Sequence, residues 1–100
     1  MEIIHDKENN SFKVTVDGYT AHVDYVIKDN ALDIRHTLVP KEIGGKGIAA
    51  ALVKAAYDYA KEAGLKPMAT CSYAVVWLER HPEYQGVVGE DYGGKGTCAL

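Results

Sequence analysis

The residues best suited to chemistry in this sequence lie between Val39 and Leu52, where a cluster of three glycines encloses a lysine. A β-like run ends at Pro40, the glycine loop (residues 44–47) follows, and an alanine-rich helical pattern then begins. The first N–H groups of a helix have no partner inside the helix, and the helix dipole places partial positive charge at that end. Glycines let a phosphate approach the backbone, and Lys46 adds a full charge, so the stretch predicts an anion site. The alternative is that the glycines only form a tight turn, because short glycine clusters are weak motifs.

Two well-known phosphate motifs do not fit this loop. The nucleotide-triphosphatase loop needs Gly-Lys followed by Ser or Thr, whereas Lys46 is followed by Gly47. The dinucleotide fingerprint would use Gly45 and Gly47 with Ala50 in the third position. That fingerprint opens a βαβ unit, however, and the strand before this loop belongs to an antiparallel meander.

Two further side chains, Cys71 and His36, are candidates for catalysis. Cys71 comes between a β-like run and a second helical pattern, and a thiol at a helix N-terminus can have its pKa lowered toward neutrality. The alternative for Cys71 is a small buried hydrophobe. His36 alternates with Ile34 and Leu38, which predicts that it shares their apolar face. It could act there as a base for an ammonium group or for Cys71, or it could be a satisfied core residue.

An antiparallel meander must precede these residues and hold them in place. The Asp17-Gly18 pair predicts a hairpin turn between two strands of alternating polarity. The same period-two alternation predicts four strands over about residues 2–5, 12–16, 19–28 and 32–39. One face of this meander is polar, so we expect that face to be exposed to solvent.

Two helices and another strand are predicted after the meander. The pattern from Gly47 to about Ala63 predicts a long helix, and residues 65–71 a strand parallel to the one that ends at Val39. Ser72 is expected to cap a second, well-buried helix over about residues 73–80, with Trp77 in the core. The fold class is therefore α+β.

Composition limits the classes of function. One hundred residues with 47% hydrophobic and 25% charged residues suit one ordinary globular domain. A formal charge of −3 argues against nucleic acid as the main partner, and no apolar run approaches the roughly 18 residues of a membrane helix. The charged N-terminus is unlike a signal peptide. Cys71, Cys98 and four scattered histidines form no metal pattern, so we expect a cytoplasmic, reduced protein without a metal.

Four short segments carry a pattern that points to one family. They read Arg35-His36-Thr37-x-Val39-Pro40, Gly45-Lys46-Gly47-Ile48-Ala49, Thr70-Cys71-x-Tyr73 and Arg80-His81-Pro82-Glu83-Tyr84. In order and spacing they resemble the compact single-domain subfamily of the GNAT acetyltransferase superfamily, over roughly residues 3–88. The superfamily motif Arg/Gln-x-x-Gly-x-Gly/Ala has Glu42 here in place of Arg or Gln, and Gly44 where many members have Arg.

The resemblance implies a shortened GNAT fold that lacks the usual N-terminal helices and final β-hairpin, and that binds acetyl-CoA or CoA. Backbone near Leu38 and Val39 is assigned to the pantetheine arm, where the two parallel strands separate. The pyrophosphate is assigned to the N–H groups from Gly44 to Ile48. The region from residue 89 to 100 repeats Gly-Gly-Lys-Gly and is expected to be a flexible tail outside the domain of residues 1–88.

The same resemblance implies transfer of acetyl from acetyl-CoA to an unidentified amine. Transfer could be direct or could pass through Cys71, which is proposed as the catalytic or acetyl-accepting residue of the subfamily. Tyr73 is assigned with the residues of the glycine loop to cofactor binding, where it could donate a proton to the leaving CoA thiolate or simply pack. Arg80 and His81 could reach the cofactor phosphates or form a cationic helix end. The alternatives are a CoA-binding module without efficient transfer, and a small interaction domain without a phosphate ligand.

Overall fold

The computed structural model describes residues 2–89, which form one mixed sheet and two α-helices. The elements are β1 Ile4–Asp6, β2 Ser11–Val16, β3 Tyr19–Lys28, β4 Ala31–Leu38, α1 Ile48–Glu62, β5 Lys66–Ala69, α2 Ser72–Arg80 and β6 Val87–Val88. The strands lie in the order β1 to β6; the first four are antiparallel, β5 is parallel to β4, and β6 is parallel to β5. The α+β class and the four-stranded meander predicted from the sequence are confirmed. The short edge strand β6 adds a second parallel pair.

Both helices pack on the same face of the sheet, which we call the helix face. Two successive right-handed crossovers that advance in the same direction place their helices on one side. Consistent with this, the Tyr57 ring of α1 and the Trp77 ring of α2 lie 5.7 Å apart. Tyr57 is fully buried, and its hydroxyl donates to the Met68 carbonyl at 2.7 Å, which ties α1 to β5. Tyr59, two residues further along α1, is only half-buried.

A β-bulge in β4 decides which side chains reach each face. Tyr25 pairs with Ile34, but the preceding residue Asp24 pairs with His36, so Arg35 is one extra residue on β4. Because directly opposed residues share a face, Thr37 joins Ile34 on the helix face and is fully buried. His36 and Leu38 turn to the opposite side, which we call the open face.

The bulge corrects one prediction. Simple alternation placed His36 with Leu32 and Ile34 on the apolar face, and this is wrong. Alternation assumes one residue per pairing position, and the extra residue Arg35 inverts the pattern for everything after it. A sequence reading based on period two cannot detect such an insertion.

The start of α2 also differs from the prediction. Cys71, not Ser72, is the N-cap: it has extended backbone angles, and its carbonyl accepts the N–H of Val75 at 3.0 Å. Ser72 is the first helical residue, and no side chain caps this end. Trp77 lies in the core as predicted, but Val76 on the outer side is 41% exposed, so the helix is not buried all round.

The flexible tail predicted for residues 89–100 lies outside the described residues, apart from Gly89. Gly89 is buried, and its N–H donates to the Ala69 carbonyl at 2.7 Å, which extends the contact with β5. Within residues 2–89, neither helix has the length and apolar character needed to span a membrane.

Candidate acyl-CoA and catalytic site

The centre of the candidate site is the gap that opens between β4 and β5. Their parallel pairing ends at Ile34 opposite Ala69. The Ile34 carbonyl then accepts the N–H groups of both Thr70, at 3.0 Å, and Cys71, at 3.1 Å. After this point the chain turns into α2, while β4 continues to Leu38. The backbone of the last residues of β4 therefore borders a gap instead of a neighbouring strand.

The glycine loop approaches the gap from the start of α1. Gly45 and Gly47 have φ values of 76° and 74°, which side chains with a Cβ rarely adopt, and Gly47 is the N-cap of α1. A Cβ at either glycine would meet no protein atom within 4 Å. Within residues 2–89, no backbone carbonyl accepts the N–H groups of Gly45, Lys46 or Gly47. Gly44 differs, because its N–H already donates to the Lys41 carbonyl at 3.1 Å.

A cavity of about 430 Å³ lies against this loop, a volume in the range of small-molecule sites. Its walls are Val39, Lys41, Gly44, Gly45, Gly47, Ile48, Ala49 and Tyr73. The structure thus brings together six of the eight residues that the sequence assigned to the cofactor; Leu38 and Lys46 do not line this cavity. The sequence analysis did not assign Lys41 and Ala49, although both flank the glycine loop and Lys41 carries a charge.

Lys46 does not reach into this cavity. Its Nζ lies 3.2 Å from Asp17 Oδ2 in the β2–β3 turn, with the side chains 52% and 71% exposed. An ion pair this exposed contributes about 0–1 kcal/mol, so an incoming phosphate can compete with Asp17 for the lysine. Asp17 has a positive φ of 52° beside Gly18, in the hairpin turn that the sequence predicted.

A second cavity, of about 350 Å³, lies in the groove between α1 and α2 and shares Tyr73 with the first. Its remaining walls are Ala50, Ala51, Lys54, Val76, Trp77, Arg80 and His81. The His81 ring stacks on Trp77 with centroids 3.9 Å apart. Burial raises the pKa of the Tyr73 phenol, against an opposing effect of the Arg80 charge, so the phenol stays protonated near neutral pH. The two cavities form a path from the glycine loop to a cationic groove.

Cys71 lies on the helix side of the gap and is fully buried. Its Sγ lies 3.4 Å from Thr37 Oγ1. This contact depends on the bulge, which places the Thr37 side chain on the helix face. The Cys71 sulfur is in a disulfide bond, which differs from the reduced state expected from the composition. As the N-cap of α2, the residue does occupy the helix N-terminus that the sequence indicated.

His36 lies on the open side of the same gap, so its imidazole and the Cys71 sulfur lie on opposite faces of the sheet. Its ring centroid is 6.3 Å from that of His22 on β3. His22 Nδ1 in turn lies 3.1 Å from Asp24 Oδ1. The sequence analysis missed this grouping because the bulge determines it.

A hydrogen-bonded cluster holds β4 and β5 together just before they part. Thr70 Oγ1 donates to the buried Asp33 carboxylate, at 2.9 Å to Oδ2, and Arg35 Nη1 donates to the same oxygen at 3.2 Å. Gly89 packs against Thr70 and Asp33, and a Cβ there would collide with Thr70 Oγ1. Among the described residues, no group of three or more His, Cys, Asp or Glu side chains is arranged to hold a metal ion.

Comparison with known proteins gives a consistent result. Residues 11–87 match the profile of a family described as GCN5-related N-acetyltransferase. Protein NATD1 of Xenopus tropicalis is 34% identical over 86 residues, which cover 82% of this chain and 78% of that protein. Protein NATD1 of Homo sapiens is also 34% identical, over 82% of this chain and 75% of its own. The solution structure of a GCN5-like protein from Staphylococcus aureus superposes with a TM-score of 0.69 at 32% identity, covering 94% of this chain and 95% of that one.

Proposed function

Because the chain belongs to the GCN5-related N-acetyltransferase family, we propose that it binds acetyl-CoA and transfers the acetyl group to an amine. The observation that carries this proposal is the geometry of the glycine loop. Two glycines with positive φ lie beside a cavity of about 430 Å³ at the start of a fifteen-residue helix, where residues 2–89 provide no backbone acceptor for the loop N–H groups. An anion at a helix N-terminus is stabilised by such donors and by the helix dipole.

The cofactor would extend along the path formed by the two cavities. Its diphosphate would lie on the N–H groups of Gly45 to Ile48, with Lys46 released from Asp17 to contact it. The pantetheine arm would follow the β4 backbone at Leu38 and Val39, whose neighbour strand is missing there. The cationic groove between α1 and α2, with Arg80 and His81, would receive the 3′-phosphate of the adenosine.

Three side chains would then act at the thioester. Tyr73 lines both cavities, and its protonated phenol could give a proton to the departing CoA thiolate. His36 would meet the amine from the open face, since its position opposite Cys71 disfavours proton exchange with that residue. Cys71, when reduced, could accept the acetyl group as a thioester before an amine removes it.

A first experiment tests cofactor binding. Thermal unfolding should be followed with CoA, acetyl-CoA and ATP, each added in separate titrations under reducing conditions. Saturation to one hundred times the dissociation constant should add about 2.7 kcal/mol of stability with CoA and acetyl-CoA. No shift with either ligand would contradict the proposal and favour an interaction domain without a phosphate ligand.

A second experiment separates the two routes of transfer. The reduced protein should be incubated with acetyl-CoA and analysed by mass spectrometry, with Cys71→Ala as the matched variant. An acetyl adduct at Cys71 that an added amine removes supports the covalent route. Amine acetylation that persists in Cys71→Ala supports direct transfer.

One observation favours a second candidate function, a CoA-binding module without efficient transfer. Cys71 is fully buried and its sulfur is in a disulfide bond, so in this state it offers no thiolate to an acyl group. Tight CoA binding by calorimetry, with no amine acetylated under reducing or oxidising conditions, would support the module.

A further inference from the structure

The open face beside the gap carries a polar cluster of which the proposed roles use only His36. It consists of His22 and Asp24 on β3 and His36 on β4. His22 Nδ1 lies 3.1 Å from Asp24 Oδ1, and the two imidazole centroids are 6.3 Å apart. The His22 side chain is 25% exposed and that of Asp24 is 41% exposed, so both are accessible from solvent while their contact holds these two side chains in place.

The sheet register puts this cluster beside the gap. The last residue of β4 that pairs with β5 is Ile34, and His36 follows two residues later on the open face. His36 is directly opposite Asp24, and His22 is directly opposite Leu38, one strand spacing of about 4.8 Å away. A thioester held along the end of β4 would therefore be reached from the open face across this cluster.

We propose that His22, His36 and Asp24 form the subsite for the acceptor amine, with His22 as the base and Asp24 as its positioning residue. This inference rests on the proposed acetyl transfer and identifies where its second substrate binds. A carboxylate that accepts Nδ1–H fixes the tautomer in which Nε2 carries the lone pair. His22 is thus oriented as a proton acceptor, while His36, nearer the gap, contacts the amine.

The reaction balances with these groups. An ammonium group gives one proton to His22 Nε2, which passes it to solvent, and the neutral amine attacks the thioester carbonyl carbon. A C–N bond forms and the C–S bond breaks. The second proton of the amine goes to the leaving sulfur, so that the products are an acetamide, CoA thiol and one proton in solution.

The charges around the cluster select a cationic acceptor. Lys13 is directly opposite His22 on β2, but it forms an ion pair with Asp6 at 3.0 Å. Farther along β4, the Asp33 carboxylate is paired with Arg35 at 3.2 Å. The Asp24 carboxylate is therefore the charge that an incoming group meets beside His22, and it attracts a primary ammonium and disfavours an acidic acceptor.

The test compares His22→Gln and Asp24→Asn with the matched control Asp29→Asn. Asp29 is an exposed residue in the β3–β4 turn, and its positive φ of 54° suits asparagine. Acetyl-CoA affinity is measured by calorimetry, and acetylation of a panel of primary amines by mass spectrometry. We expect unchanged acetyl-CoA affinity in all three variants. In His22→Gln, kcat/KM should fall about 10²-fold, the contribution of a general base.

Asp24→Asn requires a readout that a merely structural role would not change. Its kcat/KM should fall less than that of His22→Gln, and Asp24→Glu, which keeps a carboxylate beside His22, should restore part of the loss. Transfer rates of His22→Gln and Asp24→Asn equal to that of Asp29→Asn would overturn the proposal.

A binding measurement keeps the inference testable if turnover is slow. In the wild-type protein loaded with CoA, added primary amines should shift the NMR signals of the His22 and His36 imidazoles, and leave that of His81 in place. Neither transfer nor such shifts for any amine, in protein that binds acetyl-CoA, would refute the amine subsite while leaving cofactor binding intact. Failure to bind acetyl-CoA would instead refute the proposed function.

Discussion

Replacing Gly45 by aspartate tests the glycine loop most directly, because Gly64 offers an almost identical control. Both glycines have the same backbone conformation, with φ of 76° and 75°, and a Cβ at either position would meet nothing within 4 Å. Gly64 follows α1, at the opposite end of the helix from the glycine loop. The same substitution at the two positions therefore imposes the same backbone strain and the same charge change, at different distances from the proposed diphosphate.

The expected loss of stability is the same in both variants, whereas the expected loss of CoA affinity is confined to Gly45→Asp. A left-handed conformation costs a residue with a Cβ about 1–2 kcal/mol, with aspartate at the low end, so both variants should melt about 4–8 °C lower. In Gly45→Asp, the added carboxylate would lie about 6 Å from two diphosphate charges. Their repulsion amounts to roughly 1.4 kcal/mol in water and about 5 kcal/mol at the lower effective dielectric near a protein surface. CoA affinity should thus fall at least about tenfold in Gly45→Asp.

Isothermal calorimetry with CoA provides the assay, run at one salt concentration for wild type and both variants. We expect Gly64→Asp to bind CoA as the wild type does. Equal affinity of Gly45→Asp and the wild type would show that the anion binds elsewhere. An equal loss in both variants would show that the effect comes from destabilisation of the fold.

The other predictions concern single contacts. Asp17→Asn should release Lys46 and tighten CoA binding by up to about fivefold at low salt, because an exposed ion pair contributes at most about 1 kcal/mol. Calorimetry at two salt concentrations can detect this change in affinity. Tyr57→Phe should lower the free energy of unfolding by about 1–3 kcal/mol in urea denaturation, because the Met68 carbonyl loses its buried donor. Burial lowers the pKa of His5, so the folded state favours the neutral imidazole; its contribution to stability should be full above the ordinary value of 6.5 and decrease as the pH falls below it. His5→Gln should weaken that decrease.

Each of these predictions has a control within the chain. Asp29→Asn removes a turn carboxylate without touching Lys46, and should leave CoA affinity unchanged. Tyr19→Phe alters a tyrosine that is 42% exposed and should change stability by less than about 0.5 kcal/mol. His81→Gln should retain the decline of stability below pH 6.5. A decline that vanished equally in His81→Gln would contradict the assignment to His5.

Local patterns were sufficient to predict most of the architecture. Alternation and the Asp17-Gly18 turn predict the meander, because a half-buried antiparallel strand must alternate and a type I′ turn needs two residues of positive φ. The glycine loop and the start of α1 follow from the break in that alternation. For the same reason six of the eight expected cofactor residues meet around one cavity, since they lie close together in sequence or at the end of a strand.

What could not be predicted depends on contacts between distant residues. Thr37 reaches Cys71 only because β4 contains one residue more than its partner strand, and no local property of Arg35 reveals this. The ion pair between Lys46 and Asp17 joins two turns that are 29 positions apart in the sequence. It depends on how the β2–β3 hairpin packs against α1. Serine is a common N-cap residue, but Cys71, one residue before Ser72, is the N-cap of α2. The hydrogen bond from the Cys71 N–H to the Ile34 carbonyl fixes the backbone there.

The single extra residue in β4 sets the orientation of every residue that follows it in the strand. Deleting Arg35 would restore continuous pairing and leave Thr37 on the helix face and His36 on the open face, because Val23 and Asp24 already pair with them. A strand of equal length without the bulge would instead turn Thr37 outward and His36 into the interior. Alignments of distant relatives that place or omit a gap here would assign opposite orientations to the same histidine.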